Sequence, residues 1–215
     1  MGFFLSKSRK ELKEVVGFGI YDVVDTVDPE LIQCEVGWIM AAGGNPIKMV
    51  KGETVSQMTL RIQERAIREP IRLLRIHGHG EPGVQLISSG TTFPPEQPSY
   101  AISGDEFDKI KDDLSRLIGY FTMDADVILM GCNVAKGEKG KELLQNLANL
   151  WRVPITGGIK SQTSSPYNEE FLKPKWITEY ESDMKLNLET EGPTEKIYPT
   201  KGLSVEGHIK TFYPL

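Results

Sequence analysis

The chain has 215 residues, 39% hydrophobic and 26% charged, with a formal net charge of −5. That balance suits one globular domain with extensions, argues against disorder, and offers no electrostatic footprint for a nucleic acid. Its two cysteines, Cys34 and Cys132, exclude a disulfide framework and point to a reducing compartment, and no apolar run approaches the roughly 18 residues of a transmembrane helix.

The start, Met1-Gly2-Phe3-Phe4-Leu5-Ser6, is too short in apolar residues for a signal peptide. It fits the loose N-myristoylation pattern, with Lys7, Arg9, Lys10 and Lys13 behind it, but reads better as an amphipathic arm over residues 1–30. The expected compartment is the cytoplasm, or one reached by signal-independent export.

Leu31 to Ala42 reads as a strand between Asp28-Pro29 and Gly43-Gly44-Asn45-Pro46, and Ile47 to Val50 as a second. Thr54 to Arg68 is helix-like, with Val55, Met58, Ile62 and Ala66 at spacings of three and four, and Pro70 stops it. Ile71 to Ile76 is an apolar strand that runs into His77-Gly78-His79-Gly80, and Val84 to Ile87 a short strand behind it. Ser88 to Tyr100, with three prolines, is a loop. Ser103 and Glu106 form a capping-box pattern ahead of a helix with Phe107, Ile110, Leu114, Leu117 and Ile118 on one face. Asp126 to Met130 is the next apolar strand and ends in Gly131-Cys132. A turn with Gly137 and Gly140 leads to a helix from Lys139 to Trp151, with Leu143, Leu144, Leu147, Leu150 and Trp151 inward. Val153 to Thr156 is a further strand, closed by Gly157-Gly158.

The chain then changes character. Ser161 to Lys175 is polar and loop-like, and Trp176 to Tyr180 strand-like. Leu188, Glu191, Gly192, Tyr198 and Pro199 recur 15 residues later as Leu203, Glu206, Gly207, Tyr213 and Pro214. This near-repeat is read as a hairpin or clasp. The expected organisation is an arm over 1–30, one domain over 31–182 and a β-rich C-terminal extension over 183–215.

Apolar strands alternating with amphipathic helices predict an α/β fold with a mainly parallel sheet. Ligands bind such sheets at the carboxyl ends of strands. His79 and Cys132 both lie just past such an end. A cysteine nucleophile needs a thiolate, a proton carrier and donors for an oxyanion. Imidazole titrates near neutrality and suits the second role. Backbone N–H groups in the turn at Cys132, together with Gly80, can supply the third. Gly131 lets the chain turn sharply beside the cysteine.

Leu73-Leu74-Arg75-Ile76-His77-Gly78-His79-Gly80-Glu81-Pro82-Gly83-Val84-Gln85-Leu86 resembles the histidine block of caspase-like (clan CD) cysteine peptidases, an apolar strand followed by His-Gly. Asp124-Ala125-Asp126-Val127-Ile128-Leu129-Met130-Gly131-Cys132-Asn133-Val134-Ala135 resembles their cysteine block. With Gly137-Glu138-Lys139-Gly140 and Leu144, Leu147 and Ala148 on the next helix, the chain is similar to a bacterial caspase-like module found at the start of large repeat-containing surface proteins. The resemblance covers about Leu31 to Gly158.

It implies a three-layer α/β sandwich, a Cys132–His79 dyad with the N–H groups of Gly80 and Cys132 as oxyanion hole, and hydrolysis of peptide bonds without a metal or cofactor. Protein or peptide substrates are implied, self-processing among them. The chain departs from the module in carrying no repeat region and in its duplicated tail, which favours a self-contained protease or effector. The loops Ser88–Tyr100 and Ser161–Lys175 are expected to flank the cleft.

Three other readings compete. His77 and His79, with Glu81, Cys132 or the distant His208, suggest a metal-dependent hydrolase, although hydrolytic zinc usually takes three protein ligands. The glycine-rich stretch from Gly131 to Lys141 suggests a nucleotide-binding turn, but Glu142 stands where a P-loop needs Ser or Thr. A catalytically silent caspase-like binding or assembly module is the third, since a fold does not by itself confer activity.

Overall fold

The computed structural model describes residues 19–29, 35–41, 44–159 and 194–197. The elements are β1 (Ile20–Asp25), α1 (Gly37–Ala41), β2 (Ile47–Met49), α2 (Val55–Ala66), β3 (Ile71–His77), β4 (Gly80–Glu81), β5 (Val84–Leu86), a 3₁₀ turn (Pro98–Tyr100), β6 (Ala101–Ser103), α3 (Phe107–Ser115), β7 (Phe121–Leu129), α4 (Gly137–Trp151), β8 (Ile155–Gly158) and β9 (Thr194–Ile197). They form a mixed α/β structure on a six-stranded sheet in the order β2-β1-β3-β7-β8-β9. The first five strands are parallel, and β9 runs antiparallel to β8. A second sheet, β4-β5-β6, is antiparallel and lies between β3 and α3 in the chain.

Strand register sorts the side chains of the large sheet into two faces. Tyr21 and Val23 stand beside Leu74 and Ile76, which stand beside Val127 and Leu129. These residues belong to one core cluster with Met58 and Ile62 of α2, Ile110 and Leu114 of α3, and Leu144 and Leu147 of α4. Helices α2, α3 and α4 pack in succession over that face. Burying such apolar side chains stabilises each by about 1.5–3 kcal/mol. The second face carries Asp22 and Val24 beside Arg75 and His77. Glu35, just ahead of α1, reaches His77 there.

Local chemistry explains the helices. Thr54 and Gln57 form a reciprocal capping box at the start of α2, with Thr54 N donating to Gln57 Oε1 at 2.8 Å. The indole of Trp151 on α4 donates to Leu114 O at 2.9 Å and ties α4 to α3. Arg152 closes α4 in the left-handed region, φ 60°, with its N–H on Ala148 O.

Four expectations are corrected. The supposed arm contains β1, which pairs with both β2 and β3. Asp22 and Asp25 interrupt its apolar pattern, yet both are buried, because partners in the fold satisfy them. The strand expected over Leu31–Ala42 gives way to α1: Val36 and Ile39 are buried and Met40 is exposed, a helical spacing. Ser103 does not cap α3. It pairs with Val84 in β6, and the helix starts at Phe107 after a turn in which Phe107 N donates to Gly104 O. Ile118 lies beyond the end of α3 and is half-exposed rather than inward.

The other boundaries shift by a few residues, and β7 begins at Phe121, which pairs with Ile71 ahead of a register shift that leads to the Leu73–Asp126 pair. Strand β9 falls in the expected β-rich extension. Ser161–Lys175, Trp176–Tyr180, the near-repeat and Cys34 lie outside the described residues. Among the described residues no helix is long and apolar enough to cross a membrane.

Candidate active site

Strands β3 and β7 are neighbours and run parallel, so their carboxyl ends lie one strand spacing apart, about 4.8 Å. The ladder continues past β7 through Met130 N on Ile76 O, 2.9 Å. His79 leaves the β3 end and Cys132 the β7 end. The two turns meet backbone to backbone: a Cβ on Gly131 would stand 2.9 Å from Gly80 Cα, and one on Gly80 would stand 2.9 Å from Cys132 O. Glycine at both positions is therefore a steric requirement.

Gln85 locks this contact. It is fully buried on β5. Its Oε1 accepts from Gly131 N at 2.8 Å, and its Nε2 donates to Leu86 O at 3.0 Å with His79 O at 3.5 Å. The β4–β5 hairpin adds a second tie. Gly83, at φ +81° after Pro82, donates its N–H to Val134 O at 3.0 Å. Asn133, next to the cysteine, lies in the left-handed region at φ 59°, which asparagine tolerates, and Lys136 N closes the turn on Asn133 O.

The small sheet also aims Gly80. Leu86 N donates to His79 O, so the Gly80–Gln85 pair is of the type that exchanges no bonds with itself. The Gly80 N–H consequently points away from β5.

Three side chains at the histidine turn were not singled out from sequence. Asp28, on the turn after β1, places Oδ2 2.5 Å from His79 Nε2. Its side chain is 7% exposed and that of His79 34%. Sequence offered Asp28-Pro29 only as a turn, and nothing local tied it to a histidine 51 residues away. Asp25, at the end of β1, accepts from Val27 N (2.9 Å), Ser89 N (3.0 Å) and Gly90 N (2.9 Å). Burial raises its carboxyl above the ordinary value, against the lowering by these N–H groups and by His79. Gln85 is the third. The first of the two expected flanking loops thus sits beside the histidine side of the site, where Val27, Ser88, Ser89 and Tyr100 line a small cavity of about 50 Å³.

His77 stands apart from this group. It is buried on the second face of the large sheet, with Nε2 2.9 Å from Asp22 Oδ1 and Nδ1 3.0 Å from Glu35 Oε2. Arg75, also buried, grips the same aspartate, with Nη2 on Oδ2 at 2.6 Å. Burial alone would lower the His77 pKa, but Glu35 and Asp22 outweigh it and raise it to about 9. Burial likewise opposes ionisation of Asp22, and Arg75 and His77 win, bringing its pKa down to about 2. This imidazole is a charged member of a buried ion cluster, with Nε2 hydrogen-bonded to Asp22 and Nδ1 beside Glu35 at ion-pair distance without hydrogen-bond geometry. The pairing of His77 with His79 as metal ligands is not supported by that arrangement, and no group of three or more His, Cys, Asp or Glu with metal-binding geometry occurs among the described residues.

Cys132 is partly buried at the head of the turn that leads into α4. The glycine-rich segment from Gly131 to Lys141 splits between that turn and the first residues of α4, with Gly140 packed on the backbone of Ala135.

No curated protein and no solved structure matches the chain. Residues 50–163, more than half of it, match the model of a domain of unknown function (DUF4347). The match spans His79, Gly80, Gln85 and Cys132, whereas Asp25 and Asp28 come from the β1 segment ahead of it. The chain belongs to the DUF4347 family, whose function its description leaves open.

Proposed function

We propose that this protein is a cysteine endopeptidase of caspase-like architecture, with Cys132 as nucleophile and His79 as proton carrier. The observation that carries the reading is the backbone lock between the turns of adjacent parallel strands, which brings the histidine and cysteine blocks to one sheet edge. The layer of α2–α4 on one sheet face and the entry of α1 toward the other fit the three-layer sandwich that the sequence resemblance implies.

In the proposed reaction the Cys132 thiol gives its proton to the ring nitrogen of His79 not held by Asp28. The thiolate attacks the scissile carbonyl carbon and a C–S bond forms, while the N–H groups of Gly80 and Cys132 receive the oxyanion. Collapse breaks the C–N bond, and the His79 imidazolium protonates the leaving amine. Water then loses a proton to His79 and attacks the thioester; the C–S bond breaks, the acid product leaves and the thiolate is reprotonated. No cofactor takes part in this scheme.

The test is cleavage of a proteome-derived peptide library by wild type, Cys132→Ala and Cys34→Ala. Wild type and Cys34→Ala are expected to cleave at the same bonds, and Cys132→Ala to fall by at least about 10³-fold. Equal cleavage by Cys132→Ala, or none by wild type, would overturn the reading.

A further inference from the structure

We propose that Asp28 is the positioning residue of His79: it holds the ring with hydrogen on Nε2 and turns Nδ1 toward Cys132. The sheet order places the three groups in a row. Asp28 follows β1, His79 follows β3 and Cys132 follows β7, and these strands are consecutive neighbours. The His79 turn therefore stands between the turn that carries the carboxylate and the turn that carries the thiol.

An ionised carboxylate only accepts hydrogen bonds. With Asp28 Oδ2 2.5 Å from Nε2, that nitrogen is the donor, and the lone pair of the neutral ring lies on Nδ1. A base for the thiol must have its lone pair facing the thiol, so the tautomer and the placement agree. Without the carboxylate, both tautomers and a rotated ring would compete.

The Asp28 turn is itself anchored. Thr26 donates to Met49 O through both its N–H and its hydroxyl, each at 2.8 Å. Val27 N is held by Asp25, whose other oxygen holds Ser89 N and Gly90 N. A Cβ on Gly90 would stand 3.5 Å from Asp28 N, so the following loop closes over the turn. The turn that carries the carboxylate is thus held by contacts of its own and does not depend on the pairing with His79 alone.

The kinetic consequence rests on the peptidase reading, but the tautomer does not, and one experiment separates them. Full-length chain with ¹⁵N-labelled histidine is examined by long-range ¹H–¹⁵N correlation at neutral pH, with His79→Gln to identify the resonances. Wild type is expected to show the Nε2–H tautomer at His79, and Asp28→Asn and Asp28→Ala to lose its dominance. The same variants are expected to lose about 10²–10⁴-fold in kcat, with KM within about twofold and an unchanged far-ultraviolet spectrum. An Nδ1–H tautomer in wild type, or variants that keep both the wild-type tautomer and kcat, would overturn the proposal. An Asp28-dependent Nε2–H tautomer in a chain that cleaves nothing would uphold the positioning and remove the peptidase.

Discussion

Two histidines separated by one glycine have opposite fates here, because β3 ends between them: on a continuous strand residues two apart would share a face. His77 is the last residue of β3 and points into the second sheet face, where Glu35 and Asp22 hold it charged and Arg75 shares the same aspartate. His79 lies past the strand and meets Asp28 at the sheet edge. His77→Ala should therefore act on stability. Removing one partner of a buried ionic cluster leaves the others uncompensated, at a cost of about 3–5 kcal/mol, readable by urea unfolding. His79→Ala should remove cleavage and cost less stability than His77→Ala, because His79 is 34% exposed where His77 is buried. The reverse ranking would mean that the imidazoles had been assigned the wrong way round. The pH dependence follows from the same cluster. The His77 pKa is raised from 6.5 to about 9, so its contribution is complete below 6.5 and is lost as pH rises through about 9. The Asp22 pKa is lowered from 3.8 to about 2, so its contribution is complete above 3.8 and is lost as pH falls through about 2. Urea midpoints should decline between pH 6.5 and 9 in wild type and decline less in His77→Gln.

At the scale of elements, the β4–β5 hairpin works as a spacer between the histidine and cysteine turns. Its tip donates to Val134 O, and its buried Gln85 spans from Gly131 N–H to the Leu86 carbonyl. Gln85→Leu keeps the approximate volume and removes both polar ends. It should cost about 1–3 kcal/mol, because Gly131 N–H loses its partner in a buried setting, and it should lower cleavage more than Gln85→Glu, which keeps the acceptor. Comparison of thermal midpoints and cleavage rates for the two variants checks this. The run from Val84 to Ile87 was legible as a short strand, but its antiparallel pairing with Gly80–Glu81 was not. Nor was the role of Gln85, since a glutamine on a short strand carries no local sign of burial. The failed capping box at Ser103 teaches the same lesson from the other side: a local helix-start pattern lost to a ladder with Val84 that only the folded chain supplies.

For the molecule as a whole, β1 is the decisive element. It sits between β2 and β3, its Tyr21 and Val23 join the core, and its carboxyl end carries Asp25 and Asp28. A chain beginning at Leu31 should fail to fold, with no cooperative thermal transition, whereas one beginning at Val15 should retain it; calorimetry on the two distinguishes an optional arm from an integral strand. The alternation of apolar strands with amphipathic helices determined the α/β class, the parallel sheet and the helix faces, because burial imposes periods of 2 and 3.6 directly on the residues. The glycines at 80 and 131, and the placing of His79 and Cys132 beyond strand ends, were legible for the same local reason. Only the tertiary structure decided that β1 belongs to the sheet, that His77 joins a buried ion cluster, and that Asp28 meets His79 and Gln85 meets Gly131. Those assignments rest on charged and polar groups whose burial becomes tolerable only when partners some 50 residues away arrive, and no local pattern records such a pairing.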